Sequence, residues 1–148
     1  RQAVAAYLKT LAARPDDTPP AADDKAMRTG AEVYSDACAS CHLENGVGQP
    51  RFFPSLQRET AAQQADPTGL VHLILAGGRM GPTDSRPSPL TMPSFAWKLT
   101  DQQIADVATY VRNSWGNRAA PVDAAKVGGI RRKLGLTSER LTAMSTDR

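Results

Sequence analysis

Apolar residues recur at helical spacing in three stretches of the chain, and each stretch has its own start signal. The first helix is predicted to start at Asp23 or Asp24, either of which can cap it, and to run into the sequence CASCH. The second is a short apolar helix over 67–76, with Asp66 as its cap and Gly77 as its stop. These patterns predict an all-α domain.

The third predicted helix has the clearest start. Thr100 and Gln103 form a capping box, apolar residues then line one face as far as Trp115, and Gly116 is predicted to end the helix. Before it, residues 77–93 are rich in proline and glycine and show no periodicity. A loop of that length in a small domain usually wraps around something.

Composition divides the chain into three parts. Residues 1–20 are predicted to be the end of a helix and a rigid linker, 21–118 one domain, and 119–148 a basic tail. The stretch AVAAYLK at 3–9 resembles DVATYVR at 106–112. We therefore expect a tandem array of similar domains, of which this chain holds one domain and the terminal helix of its predecessor.

Charge and hydropathy exclude some functions. The net charge of +3 is mild and the basic residues are scattered, which argues against a nucleic-acid partner. There is no apolar run of membrane-spanning length and no signal peptide, and the first residue is Arg1, so we expect a processed protein or a piece of a larger one. With only 5% aromatic residues, the core would gain from an internal prosthetic group.

The basic tail contains one further candidate helix, around 123–134. Three consecutive basic residues lie beside two apolar ones in it, namely Arg131, Arg132 and Lys133 beside Ile130 and Leu134. Such a helix could associate peripherally with a membrane surface or dock on another subunit. The alternative is a solvated, partly disordered tail.

The two cysteines of the chain, Cys38 and Cys41, are three residues apart, and His42 follows directly. A redox disulfide would need a strand leading into the motif, whereas a helical pattern leads into it. A structural zinc site needs four ligands in a tetrahedron, yet outside the motif only His72 remains and there is no second cysteine pair. Two unlinked thiols remain the plain alternative. The fourth interpretation is covalent haem, because cysteines one helical turn apart can form thioethers with both vinyl groups while the histidine binds the iron.

A haem site needs further residues, and the sequence offers candidates. The histidine ring N–H needs a carbonyl acceptor, which Pro50 or Pro54 could supply. A low-spin haem needs a sixth ligand, and Met92, at the end of the proline-rich loop, is the predicted one. Met80 is the second choice, and His72 is interpreted as a structural residue of its apolar helix.

The sequences GAEVYSDACASCH, FPSL and TMP, with the terminal amphipathic helix, together resemble a class I cytochrome c domain. The resemblance implies three to five helices around one covalently bound haem. It implies that the first and last helices cross at Gly30, Tyr34 and Tyr110. It also implies that Pro54, in the element containing Leu56, accepts the hydrogen bond from the haem histidine.

Residues 31 to about 133 are similar, more narrowly, to the third haem domain in the cytochrome subunit of membrane-bound bacterial dehydrogenases for alcohols, sugars, gluconate or aldehydes. This similarity implies a periplasmic electron carrier that is not itself an enzyme. Its expected partners are a dehydrogenase catalytic subunit, neighbouring haem domains, and quinone or a terminal oxidase downstream. The chain has only one haem motif, so this piece alone could not pass electrons between haems.

Other residues are expected around the haem. Four apolar residues are predicted to surround it, namely Leu56, Leu73, Ile74 and Phe95. Arg79 or Trp97 could bind a haem propionate, the alternatives being a surface arginine and a core tryptophan. The loop 46–49 and the turn 77–79 are candidates for the surface at the exposed haem edge. Three alternative functions stay open: a peroxidase-like haem enzyme with an open sixth site, a haem-based sensor and a stand-alone monohaem carrier.

Overall fold

The computed structural model describes residues 21–79, 81–82, 84 and 90–136. This part of the chain contains five helices and one two-stranded ladder, joined by loops. The repeat at 3–9, Met80 and the end of the tail from 137 fall outside it. The helices are α1 (Asp24–Ala37), α2 (Ala39–His42), α3 (Thr68–Ala76), α4 (Asp101–Asn113) and α5 (Ala124–Lys133). Strands β1 (Gly78–Arg79) and β2 (Thr91–Met92) pair antiparallel. The all-α prediction is confirmed.

Helices α1 and α4 start at the caps that the sequence indicates. Asp23 caps α1, and its carboxylate accepts a hydrogen bond from the backbone N–H of Lys25. The capping box of Thr100 and Gln103 is present at α4. Helix α3 begins one residue later than predicted, because Pro67 takes the capping position.

The end of α4 differs from the prediction. The helix stops at Asn113, and Trp115 and Gly116 have φ values of 53° and 86°, which no helical residue adopts. This turn brings the ring of Trp115 to 4.9 Å from that of Tyr34 and 5.4 Å from that of Tyr110, measured between centroids. Trp115 therefore joins the aromatic cluster from beyond the helix, and the predicted extension of the helix to Trp115 is wrong.

Helices α1 and α4 cross at a close contact. A Cβ atom at Gly30 would collide with the carbonyl oxygen of Asp106 and lie 2.7 Å from the Cβ of Tyr110, so the crossing needs glycine. Nearby, the rings of Tyr34 and Tyr110 are 5.5 Å apart. The Tyr34 hydroxyl donates to the carbonyl of Leu43 at 2.7 Å, which ties α1 to the residue after the CASCH motif.

Helix α5 packs against α3 and α4, and the residues before it join the same core. Val127 is fully buried and Ile130 nearly so, while the Arg131 side chain is 14% exposed and bonds within the domain. Ile130 and Arg131 therefore face inwards, which the charge pattern did not predict, and docking of this helix on a membrane or another subunit stays a prediction. Within the described ranges no helix is long and apolar enough to span a bilayer.

Candidate haem-binding site

The CASCH motif lies at a break between two helices. Cys38 caps the end of α1, and a single helical turn, α2, carries Cys41 and His42. The backbone N–H groups of Cys41 and His42 both donate to the Cys38 carbonyl, at 3.1 and 3.0 Å. The two cysteines and the histidine are thereby held on one compact turn directly after a helix that buries Gly30, Val33 and Tyr34.

Both cysteines are free thiols and are half-buried. Desolvation by burial, followed by the neighbouring Cys41, raises the pKa of Cys38 to about 11, so its thiol is neutral at ordinary pH. Among the residues that the structure describes, no three histidine, cysteine or acidic side chains are grouped to hold a metal ion.

The ring of His42 is oriented by a backbone carbonyl. Its Nδ1 lies 3.0 Å from the carbonyl oxygen of Pro54. Because a carbonyl oxygen can only accept, Nδ1 carries the proton in this hydrogen bond, and in the neutral imidazole Nε2 is then the nitrogen with the free lone pair. Pro54 is thus the proline whose carbonyl contacts the histidine, and the Nε2 atom is prepared to bind a metal centre.

The loop that carries Pro54 folds back on the motif. The Gly48 N–H donates to the His42 carbonyl at 2.9 Å, and the Leu56 N–H donates to the Gly46 carbonyl at 2.7 Å. Gly48 has a φ of 65°, and a Cβ there would lie 2.5 Å from the Pro54 carbonyl oxygen. Only glycine allows this approach, which places the acceptor beside the imidazole.

Asn117 holds the far end of the same loop, and sequence reasoning missed it. Its Nδ2 donates to the carbonyls of Leu56 and Val111 at 2.7 and 2.8 Å, and its Oδ1 accepts from the Glu59 N–H at 2.9 Å. The side chain is buried, and its bonds to Leu56 and Glu59 on one side and to Val111 on the other join the loop to the end of α4. A polar residue directly after the glycine that follows a helix was the only available signal.

Met92 is held in place by the β-ladder and by hydrogen bonds of the residues that follow it. It pairs with Gly78 in the β-ladder, just beyond the end of α3. Two residues later the Ser94 hydroxyl donates to the Leu75 carbonyl at 2.6 Å, and the Phe95 N–H donates to the Ile74 carbonyl at 3.1 Å. The half-buried Met92 side chain therefore lies on a segment that is hydrogen-bonded to the C-terminal end of α3 and to the strand after it.

The other predicted residues divide between surface and core. Trp97 is 70% exposed and lies outside the core, and Arg79 and His72 are also exposed. Ile74 is buried in the protein core, whereas Leu73 is 41% exposed. Thus Leu73 can line a haem cavity, and Ile74 belongs to the packing behind it.

Several large apolar side chains are exposed along the segments that carry the site. Besides Trp97, five side chains are between 41% and 54% exposed: Leu43, Val47, Phe52, Leu73 and Leu90. Each lies within the CASCH loop, on α3 or close to Met92 in sequence. Two free thiols, an oriented imidazole, a thioether and uncovered apolar side chains together fit a covalently attached, largely apolar cofactor such as haem.

An all-α domain with this thiol, imidazole and thioether set has the architecture of a c-type cytochrome. The family model for cytochrome c matches residues 27–115, more than half of the 148 residues. The chain belongs to the cytochrome c family. Membership implies covalently bound haem c, and it makes the protein an electron carrier.

Three relatives show which cytochromes it is similar to. The chain is 39% identical over 142 residues to the gluconate 2-dehydrogenase cytochrome c subunit of Pantoea cypripedii, covering 88% of this chain and 32% of that protein. It is 38% identical over 128 residues to the alcohol dehydrogenase (quinone) cytochrome c subunit of Gluconobacter oxydans, covering 80% and 27%. Cytochrome c-552 of Thermus thermophilus is 36% identical over 110 residues, covering 72% and 69%.

The chain thus spans about a third or less of the dehydrogenase subunits to which it is similar. These matches confirm the resemblance to cytochrome subunits of gluconate, alcohol and fructose dehydrogenases. They agree with single-electron transfer as the activity of this chain.

Proposed function

We propose that the chain carries a single haem c attached through Cys38 and Cys41, with His42 and Met92 as its axial ligands. The hydrogen bond from His42 to Pro54 carries this proposal, because it leaves Nε2 free and fixes the ring. The bonding of the Met92 segment to the end of α3 supports the second ligand. This bonding fixes the backbone position from which the Met92 side chain extends.

When bound, the haem supplies a one-electron Fe(III)/Fe(II) couple. The Pro54 carbonyl holds the proton on Nδ1 of His42 and raises the basicity of Nε2. The Met92 sulfur would be the neutral second ligand of the iron, and a position held by it would not be open to substrates. Leu56, Leu73 and Phe95 keep water away and disfavour extra charge, which favours the reduced form.

The wider role follows from the similarity to dehydrogenase cytochrome subunits. In this proposal the domain is one module of a multihaem subunit and accepts electrons from a dehydrogenase catalytic subunit through neighbouring haem domains. It passes them on towards quinone or a terminal oxidase in the bacterial periplasm, with the complex peripheral to the inner membrane. The exposed Arg79 and Trp97 are the candidates to bind haem propionates.

The axial pair is tested by the optical spectrum of the haem-loaded chain. The ferric protein should show the weak long-wavelength charge-transfer band of methionine sulfur bound to haem iron. The band should disappear in Met92→Leu and persist in Met27→Leu, a matched change on α1. A pyridine haemochrome assay should give one haem per chain.

Carbon monoxide provides the opposing outcome. The reduced native protein should not bind it at neutral pH, whereas Met92→Leu should, because that variant leaves the sixth position open. A native protein that lacks the methionine band and binds carbon monoxide would contradict the proposal. It would favour a haem enzyme with an open sixth site.

A further inference from the structure

Arg131, on α5, makes three hydrogen bonds from one guanidinium group. Nε donates to the Asp101 carboxylate at 2.7 Å, while the two terminal nitrogens donate to the carbonyls of Ala96 and Leu99 at 2.6 and 2.7 Å. The side chain is only 14% exposed. Charge-assisted bonds of this length in a partly buried site are among the stronger hydrogen bonds in proteins.

The turn that Arg131 binds comes directly after the Met92 segment. Within it, the Lys98 and Leu99 N–H groups donate to the Phe95 carbonyl at 3.1 and 2.9 Å. The Phe95 N–H is in turn bonded to Ile74 of α3. Residues 92–99 are therefore held at one end by α3 and at the other by Arg131.

We propose that Arg131 is a positioning residue that keeps the Met92 segment closed over the haem iron. For the methionine to leave the iron, its segment must move, and the turn at 96–99 limits that movement. Arg131 raises the free energy of the open form, so an external ligand must compete against the closed form. This inference rests on the proposed role of Met92 as the sixth ligand.

Helix α5 lies beyond residues 27–115, the part that the cytochrome c family model matches. The contacts of Arg131 are thus made by a helix that lies outside the range matched by the family model. The same helix is joined to the start of α3 by the Lys126–Asp66 pair at 3.0 Å. Helix α5 therefore binds the turn at 96–99 and also contacts α3, which holds the other end of the methionine segment.

Imidazole binding to the ferric, haem-loaded full chain tests the inference. Arg131→Gln should raise the affinity for imidazole by about tenfold, because the open form, to which imidazole binds, becomes more populated. Arg131→Lys keeps the charge and the Asp101 pair, yet one ammonium group cannot reach both carbonyls. It should give a smaller increase and provides a second variant if the first folds poorly.

Two controls separate positioning from general effects. Lys133→Gln removes the same charge from the exposed face of α5, and Val127→Ala destabilises the same helix from its fully buried side. Both should leave imidazole affinity within about twofold of the native value. The inference is overturned if Arg131→Gln has no effect, or if Val127→Ala gives an equal increase at an equal loss of stability.

The same spectra distinguish this failure from failure of the proposed function. A native methionine band with no response to Arg131→Gln would overturn the positioning role alone. A native protein without that band would overturn the axial pair and, with it, the role of Arg131.

Discussion

Two buried polar side chains, Arg112 and Asn117, bind backbone carbonyls of neighbouring loops. The Arg112 Nη1 donates to the carbonyls of Ala62 and Gln64 at 2.8 and 2.9 Å, and its Nε donates to that of Ala120 at 2.9 Å. Burial lowers the pKa of this guanidinium, so the carbonyl dipoles must stabilise its charge. Side chains of α4 and of the turn after it thus fix loops that have little regular structure of their own.

Replacing Asn117 should destabilise the domain through its loop contacts. Asn117→Ala removes three hydrogen bonds and leaves the buried carbonyls of Leu56 and Val111 without this donor. We expect a loss of about 3 kcal/mol in the free energy of unfolding, measured by denaturant titration. The matched variant Asn113→Ala loses one bond to Thr109 within the same helix and should cost about 1 kcal/mol. Equal losses in the two variants would contradict the anchoring role.

The sequence predicts polar contacts well only when they are local. The Thr100–Gln103 capping box joins residues three apart, and its pattern is visible in the sequence. The Asn117 contact with Glu59 joins residues 58 apart, so only the folded chain reveals it. The carbonyl acceptor is an intermediate case, because the residues alone offered Pro50 and Pro54, the family resemblance implied Pro54, and Pro54 is the proline that contacts His42.

At the scale of elements, the start of α3 is tied to α5 by one carboxylate. The Asp66 Oδ1 accepts hydrogen bonds from the Thr68 hydroxyl and backbone N–H, and it pairs with Lys126 at 3.0 Å. The Thr68 hydroxyl, and after it Lys126, lower the pKa of Asp66 from 3.8 to about 2. The ionised carboxylate is therefore favoured in the folded state.

This lowered pKa predicts an acid-dependent loss of stability. Because the folded pKa lies below the unfolded one, the contribution of Asp66 is complete above about pH 4 and is lost as the pH falls towards 2. We expect the melting temperature of Asp66→Asn to lie below that of the native protein at pH 6 and to approach it near pH 2. A constant difference between the two across this range would contradict the prediction, as would a difference that grows on acidification.

Element ends and the direction of helix faces are harder to predict than element starts. The pattern extends α4 to Trp115, but the backbone turns after Asn113 because the aromatic cluster draws the indole inwards. Likewise Arg131 has the spacing of a surface residue, yet three acceptors in the fold hold its side chain inside. Spacing alone does not show where the acceptors will be.

At the scale of the whole molecule, the folded body extends past the predicted boundary at residue 118. Val122, Val127 and Ile130 belong to the same hydrophobic core as the helices of the family domain. The segment before α5 also serves two buried polar groups of α4: the Ala120 carbonyl accepts from Arg112, and the Val122 N–H donates to the Thr109 hydroxyl at 2.9 Å. Residues 119–136 are therefore an integral layer of the structure.

Truncation tests how much of the molecule depends on this layer. A chain ending at residue 118 should be less stable than one ending at 136 by about 5 kcal/mol. It loses the apolar contacts of Val122, Val127 and Ile130 with the core. It also removes the Ala120 acceptor of Arg112 and the Val122 partner of the Thr109 hydroxyl. Denaturant unfolding of the two haem-loaded chains measures the difference. If both unfold at the same denaturant concentration, the core is complete at residue 118 and the α5 layer only covers it. If the shorter chain is less stable and also binds imidazole more tightly, the layer supports both the core and the methionine segment.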